Sequence, residues 1–263
     1  MKQGFKVSGF QGFKVRLSKS VFQSSSLRVT RRIALQWMLL GAVLVSWLTA
    51  VAGAQIAGES PELEHALARM DTAAKNFKTT EASVVWEQYQ KVIDEKETEK
   101  GKIYFRREGG EIQMAADFVD PAKYVLYGGG QVQVYQPKID QVSRYEAGKN
   151  RGDVESFLVL GFGGGGRDLF SSYAVKFLAT ETVGGVAADK LELIPKSDRL
   201  RNNIARIWLW IDPRGISVQQ QFFEPGGDYR LAKYSDIRIN QKLPDDAFKL
   251  KTTGKTKFLP PQG

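Results

Sequence analysis

The sequence predicts an α+β fold in which one amphipathic helix precedes a large antiparallel sheet. Two patterns carry this prediction. Apolar residues recur at intervals of three and four from Leu63 to Phe77, which is the period of a helix. From Ala82 onward, short runs rich in β-branched and aromatic residues are separated by Gly, Pro and Asp turns. That spacing is typical of strands that pair with their neighbours in sequence.

The composition is that of an ordinary folded domain, with 42% hydrophobic and 25% charged residues in 263. The net charge is +9, but eight of the 38 Lys and Arg residues lie in the first 54 residues, which contain no Asp or Glu. The remainder carries 30 basic against 29 acidic residues, so it lacks the electrostatic footprint of a nucleic-acid-binding domain. Cysteine is absent, which excludes disulfides, thiolate metal sites and cysteine nucleophiles.

Residues 1–54 are predicted to be a leader that contains a signal peptide. Three arginines precede the apolar run Ile33–Leu48, and the small residues Ala52 and Ala54 follow it. The run has about 16 residues, fewer than the roughly 20 that span a bilayer. This favours cleavage after Ala54 over an uncleaved membrane anchor. Residues 55–263 are predicted to form a single domain.

The helix and strands of that domain follow in order. Ser60 and Pro61 form a helix start, with a capping hydroxyl followed by proline in the first turn. His65 falls between the apolar positions of this helix and is predicted to be exposed. The tail Lys251–Gly263 is polar and is predicted to fray. The predicted strands are 84–92, 102–107, 112–118, 124–127, 131–135, 141–145, 174–182, 190–194, 204–211, 216–224 and 229–240, and short helical segments are predicted at 153–160 and 167–173.

No motif indicates an enzyme, a metal site or a cofactor. The glycine run Gly161–Gly166 ends in Arg167 instead of Lys followed by Ser or Thr, so a phosphate-binding loop is disfavoured and a hinge between two helical segments is preferred. The strand Ile204–Ile211 is apolar on both faces apart from Arg206. Such a strand either packs under helices or lines a site for an apolar ligand, and both readings stay open.

Six segments occur in a characteristic order along the chain: Gly101-Lys102-Ile103-Tyr104-Phe105-Arg106-Arg107, Tyr124–Tyr127, Gln131–Pro137, Phe157–Leu160 with the glycines after it, Trp210–Ile216 and Asn240–Phe248. In this order they resemble the LolA-like periplasmic lipoprotein carriers, and the resemblance covers residues 60–252. The family's proline after its Lys-Arg pair is replaced by Glu108 here.

The resemblance implies an open, incomplete β-barrel with helices covering its concave face. It also implies a periplasmic carrier, without cofactor and monomeric, that binds the acyl chains of lipoproteins in a hydrophobic cavity and moves them from the inner to the outer membrane. Its expected partners are acylated lipoproteins, an inner-membrane lipoprotein-releasing transporter and an outer-membrane acceptor, and no nucleic acid. The alternative is an envelope-stress sensor or protein-binding module on the same fold, without lipid transfer.

The expected acyl-chain-binding residues lie on two strands. Strand alternation puts Ile103, Phe105 and Arg107 on one face, which we expect to point into the cavity, with Trp208 and Trp210 as a second set. The resemblance matches Arg107 to the arginine that holds the family's helical lid closed; the alternative is a solvent-exposed arginine on a strand face. Gly163, Gly164 and Gly165 are the expected hinge of that lid.

Overall fold

The structure is a computed structural model that describes residues 60–148 and 151–261. The predicted leader and its cleavage site lie outside these residues. Within them, no helix combines the length and the apolar character that crossing a membrane requires.

Twelve strands form one sheet, and the order of its strands is β12-β6-β5-β4-β3-β2-β1-β11-β10-β9-β8-β7. The sheet is therefore open, with β12 and β7 at its edges, as the resemblance implies. The strands are β1 (Thr79–Gln90), β2 (Glu95–Glu108), β3 (Glu111–Asp120), β4 (Ala122–Gly128), β5 (Gln131–Gln136), β6 (Gln141–Glu146), β7 (Tyr173–Val183), β8 (Val186–Pro195), β9 (Arg206–Ile211), β10 (Ser217–Phe223), β11 (Tyr229–Ile239) and β12 (Lys257–Phe258).

Two meanders make up most of this sheet. In the first, β1 to β6 pair antiparallel in chain order, and in the second, β7 to β11 do the same. Antiparallel pairing of β1 with β11 joins the two, with Trp86 opposite Ala232. Because β6 and β7 lie near opposite edges of the sheet, the chain between them has to cross one of its faces.

The helices are α1 (Pro61–Lys75), α2 (Arg151–Leu158), α3 (Leu169–Ser172) and α4 (Asp198–Arg201), with a 3₁₀ turn at Pro137–Ile139. Helix α1 begins as predicted, because the Ser60 hydroxyl accepts a hydrogen bond of 3.2 Å from the Leu63 amide. His65 is exposed.

The two faces of the sheet have different covers. On the face we call the helix-covered face, Leu63, Leu67 and Met70 of α1 pack in one buried cluster with Ile207 and Leu209 of β9. On the opposite face, called the outer face, the C-terminal residues Leu243, Ala247, Phe248 and Leu250 pack against Tyr104, Tyr124 and Tyr135. Part of the sheet is thus buried on both sides, which explains strands that are apolar on both faces.

The structure differs from the predicted elements most clearly at β2 and in the tail. Strand β2 begins at Glu95, seven residues before the predicted Lys102, because the hairpin with β1 continues until Gln90 faces Glu95. The tail does not fray: Lys257 and Phe258 pair parallel with β6, and the Leu259 amide donates to the Val142 carbonyl at 2.9 Å. Both segments are polar and are held by main-chain hydrogen bonds. They therefore lack the hydrophobic periodicity from which a strand can be predicted.

Candidate functional site

The predicted β2 residues lie on the helix-covered face. Ile103 and Phe105 are each only 6% exposed and belong to one buried cluster that includes Phe77 and Phe162. Arg107 follows on the same face by alternation and is half-buried at the end of the strand. The structure therefore brings these three predicted residues together.

The chain between β6 and β7 crosses this face. We call residues 151–172 the covering segment; it comprises α2, a glycine-rich loop and α3. Near its start, the Tyr127 hydroxyl of β4 donates to the Glu155 carboxylate at 2.9 Å. At its end, the Ser172 carbonyl accepts from the Lys196 amide at 2.9 Å, just after β8.

Phe162 is the residue that fills the space beneath the covering segment. Its ring, 1% exposed, stacks on Phe105 with centroids 5.1 Å apart and meets Tyr234 edge-on at 4.9 Å. Leu160, 2% exposed, joins the cluster beneath α1. The space that the resemblance assigns to acyl chains is thus occupied here by side chains of the protein itself.

Two side chains of the sheet hold the covering segment by its main chain. The Arg107 guanidinium donates from Nη2 to the Gly163 carbonyl at 2.7 Å. The Gln220 amide donates from Nε2 to the Leu160 carbonyl, and Gln220 accepts in turn from the Tyr234 hydroxyl at 3.2 Å. Burial raises the pKa of Tyr234, so its hydroxyl keeps the proton that it donates.

The glycine run packs closely against its surroundings. Gly163 has φ +84°, and a Cβ there would overlap the Phe77 ring. A Cβ at Gly164 would come within 2.8 Å of the Val159 carbonyl oxygen, and one at Gly165 within 2.6 Å of the Asp168 carboxylate. These glycines therefore allow the covering segment to lie flat, and their expected role as a hinge stays a prediction.

Exposed ion pairs add a second attachment to α1. Arg167 contacts the carboxylates of Asp71 and Glu64 at 2.6 Å and 2.8 Å, and a shallow groove of about 520 Å³ lies beside them. The hydrogen bond and charge of Asp71, together with the charge of Glu64, raise the pKa of Arg167. Exposed pairs of this kind contribute little to stability, about 0–1 kcal/mol each.

Trp208 and Trp210 do not lie on this face. They point to the outer face of β9, where Trp210 donates to Glu181 at 2.6 Å and Trp208 to Glu192 at 3.1 Å. The Lys190 ammonium lies 4.1 Å and 4.8 Å from their two ring centroids. The expectation that these tryptophans line the cavity is therefore not met.

Strand alternation gives the physical reason. Ile207, Leu209 and Ile211 occupy the helix-covered positions of β9, and all three are fully buried in the α1 cluster. The sequence placed large apolar residues on both faces of β9, so it did not indicate which face meets the helices.

Several residues of the site were missed by sequence reasoning: Phe162, Gln220, Tyr234 and Thr80. One signal could have revealed Phe162, which is the only large side chain in a run of glycines. Gln220 stands in a run of three glutamines, where nothing distinguishes the buried member from its neighbours.

In the described ranges, no group of three or more His, Cys, Asp or Glu side chains is arranged to hold a metal ion. The site offers instead an apolar face, a segment that covers it, and a few hydrogen-bond donors between the two. Such a surface can bind an apolar ligand if the covering segment moves.

The chain is similar to one known protein family and to several solved structures. A family described as outer membrane lipoprotein carrier protein LolA matches residues 76–251. No curated protein matches the chain in sequence. Similar solved structures include the MucA/MucB complex of Pseudomonas aeruginosa, at 15% identity over 72% of this chain and 61% of that chain with a TM-score of 0.44. The lipoprotein LppX of Mycobacterium tuberculosis is 14% identical over 70% of this chain and 99% of its own, with a TM-score of 0.43.

A LolA superfamily protein from Nitrosomonas europaea is 14% identical, with 71% of this chain and 96% of that chain covered and a TM-score of 0.35. The family match is broader evidence, because it extends from the end of α1 to beyond β11 and includes the covering segment. It spans well over half of the sequence, and the chain therefore belongs to the LolA outer membrane lipoprotein carrier family.

Proposed function

We propose that this protein is a periplasmic carrier that binds the acyl chains of lipoproteins between the sheet and the covering segment. The observation that carries the proposal is Phe162, which occupies an apolar site between Phe105 and Tyr234 under a segment held by few polar contacts. An acyl chain that displaces Phe162 finds the same apolar walls. Membership of the family supports this use of the site.

The energies are compatible with reversible binding. Exposing a buried Phe or Leu costs about 1.5–3 kcal/mol, and losing a hydrogen bond to a charged group such as Arg107 costs about 1.5–3 kcal/mol. Each buried CH₂ contributes about 0.8 kcal/mol. A chain that buries ten CH₂ groups thus gains about 8 kcal/mol, which offsets opening and leaves a surplus small enough for release.

Within this proposal, Ile103 and Phe105 line the acyl site and Arg107 stands at its border. Gly163, Gly164 and Gly165 are the points at which the covering segment flexes. The carrier receives its cargo from an inner-membrane transporter and delivers it to an outer-membrane acceptor. Since Trp208 and Trp210 face outward, they have no part in the acyl site.

A photo-crosslinking experiment tests the proposal directly. A diacylated lipopeptide with a diazirine near the end of one acyl chain is bound to the purified protein and irradiated, and the labelled peptides are mapped by mass spectrometry. We expect labels on the helix-covered face, around Phe105 and Phe162. Failure of the lipopeptide to bind, or labels confined to outer-face residues such as Tyr104 and Trp208, would overturn the proposal.

The same preparation tests the alternative function. An envelope-stress sensor or protein-binding module predicts capture of a protein partner whether or not that partner is acylated. Lipid that copurifies with the native protein and is displaced by the lipopeptide supports the carrier.

A further inference from the structure

The covering segment is attached to the sheet through two of its own carbonyl oxygens. Gln220 donates to the carbonyl of Leu160, and Arg107 donates to the carbonyl of Gly163. Gln220 is 5% exposed, so its side-chain amide has no access to bulk water. Both donors stand on the helix-covered face, among the apolar residues that the proposed cargo contacts.

Opening removes both acceptors at once. When the covering segment moves away, the Gln220 amide and the Arg107 guanidinium remain on an apolar surface without their partners. When an acyl chain then covers these donors and excludes water, a donor left without an acceptor is strongly unfavourable. A ligand that supplies oxygen acceptors at these points therefore binds better than one that supplies only hydrocarbon.

A third polar group lies on the same face and has no partner even in the closed structure. Thr80 of β1 is fully buried, and its hydroxyl oxygen makes no hydrogen bond in the described part of the chain. It stands opposite Phe105 in the register of β1 and β2, so both side chains point to the helix-covered face. Thr80 thus adds a third polar group to the helix-covered face beside Phe105.

We infer that Gln220 and Arg107 recognise the acyl ester and amide carbonyls of the cargo, and that the Leu160 and Gly163 carbonyls take their place when the site is empty. The inference rests on the proposed function and adds which part of the ligand the protein recognises. The same donors serve the covering segment and the ligand, so closure and binding compete for them.

The two carbonyls are close together in the chain. Leu160 and Gly163 are three residues apart, so their carbonyl oxygens are separated by about 10 Å at most. A diacylglyceryl group carries two ester carbonyls on neighbouring carbons, and N-acylation of the adjacent cysteine adds an amide carbonyl. All three carbonyl oxygens lie at the polar end of the acyl chains, next to the first CH₂ groups.

The test compares two lipopeptides of equal chain length. In one, the chains are joined to glycerol through esters; in the other, each ester carbonyl is replaced by CH₂ to give an ether. We expect the wild-type protein to bind the ester form about tenfold or more tightly, which corresponds to one hydrogen bond left unmade. Equal affinities for the two forms would overturn the inference while leaving the proposed function intact.

Two matched variants assign the preference to a residue. Gln220→Leu removes the donor from the helix-covered face, whereas Gln221→Leu makes the same substitution at the next residue, on the outer face. We expect the ester preference to fall below about threefold in the first and to persist in the second, by the same hydrogen-bond argument. A full ester preference in a folded Gln220→Leu protein contradicts the role of Gln220. The ester and ether comparison in the wild type stands even if this variant fails to fold.

A phospholipid with the same ester-linked chains identifies the source of the carbonyls. If it binds with the same preference over its ether analogue, the site reads acyl esters of any lipid. If only the lipopeptide shows the preference, the peptide linkage is read as well. Absence of binding by every probe rejects the proposed function, and the inference with it.

Discussion

Truncation of Phe162 separates the stability of the closed protein from its affinity for acyl chains. In Phe162→Ala the backbone of the covering segment keeps its hydrogen bonds to Arg107 and Gln220. The ring that fills the space between Phe105 and Tyr234 is lost. The variant should therefore be less stable and yet bind acyl chains more tightly.

The magnitude follows from the burial of the ring. Phe-to-Ala changes at buried positions cost about 3–5 kcal/mol, and Phe162 is 1% exposed with two aromatic partners. If the ligand binds only the open form, its apparent Kd equals the intrinsic Kd divided by the open fraction. A loss of about 3 kcal/mol in the closed form then lowers the apparent Kd up to about a hundredfold. Because the Phe162 ring is nearly fully buried, we expect a gain of at least tenfold.

The assay is titration of a fluorescent fatty-acid probe, with the free energy of unfolding measured on the same sample by urea denaturation. Tyr104→Ala is the matched control, because Tyr104 is 8% exposed and neighbours Phe105 in sequence but packs on the outer face. It should lose a similar amount of stability without a gain in probe affinity.

Two outcomes would refute the reasoning. One is a Phe162→Ala protein that folds but binds the probe no better than the wild type. The other is an equal gain in Tyr104→Ala, which would show that general loosening, and not the emptied site, controls uptake.

Three further predictions concern the covering segment and its anchors. Gly166→Ala places a Cβ against the main chain of α1 and should destabilise the protein by about 1–3 kcal/mol. Gly152→Ala places its Cβ in open space on α2 and should stabilise the protein by about 0.5–1 kcal/mol. Urea denaturation measures both changes. Arg107→Leu removes the donor to Gly163, so hydrogen exchange of the covering segment's amides should accelerate about tenfold; unchanged protection would contradict the anchor. Burial, and to a smaller extent the hydrogen bond to the Glu155 carboxylate, raises the pKa of Tyr127 to about 12. The stabilisation that this tyrosine contributes is therefore complete below its ordinary pKa of 10.0 and is lost as the pH rises toward 12. Between about pH 9 and pH 12, the free energy of unfolding of Tyr127→Phe should fall by about 2–3 kcal/mol less than that of the wild type, and equal losses would show that folding does not raise the pKa of Tyr127.

The sequence predicted the parts of the fold that depend on side-chain periodicity. Helix α1 has a strong apolar stripe and a capping serine, and its start at Pro61 was placed correctly. The strands of both meanders were found because their turns contain Gly, Pro or Asp. Strand β12 was missed because pairing with β6 uses main-chain atoms, which leave no trace in a polar tail.

Strand alternation could predict the candidate site only where the face occupied by one residue of the strand was already known. Ile103 and Phe105 were placed on one face by strand alternation, and both lie on the helix-covered face, whereas their contact with acyl chains stays a prediction. The face of Trp208 and Trp210 could not be predicted, because β9 carries large residues on both sides and only the packing of α1 decides which side is inner. Gln220 depends on a contact with a residue 60 positions away, which local sequence does not encode.

The route of the covering segment limits how it can move. Its two ends are fastened by the chain itself, which continues into β6 on one side and into β7 on the other, so it acts as a strap attached at both ends. A segment attached at both ends can move away from the sheet only if its contour length increases. Uncoiling the eight residues of α2 from helical to extended geometry would add about 14 Å of contour, at 1.5 Å per residue before and about 3.3 Å after. Melting of this one short helix is thus the simplest source of the slack that cargo needs to enter.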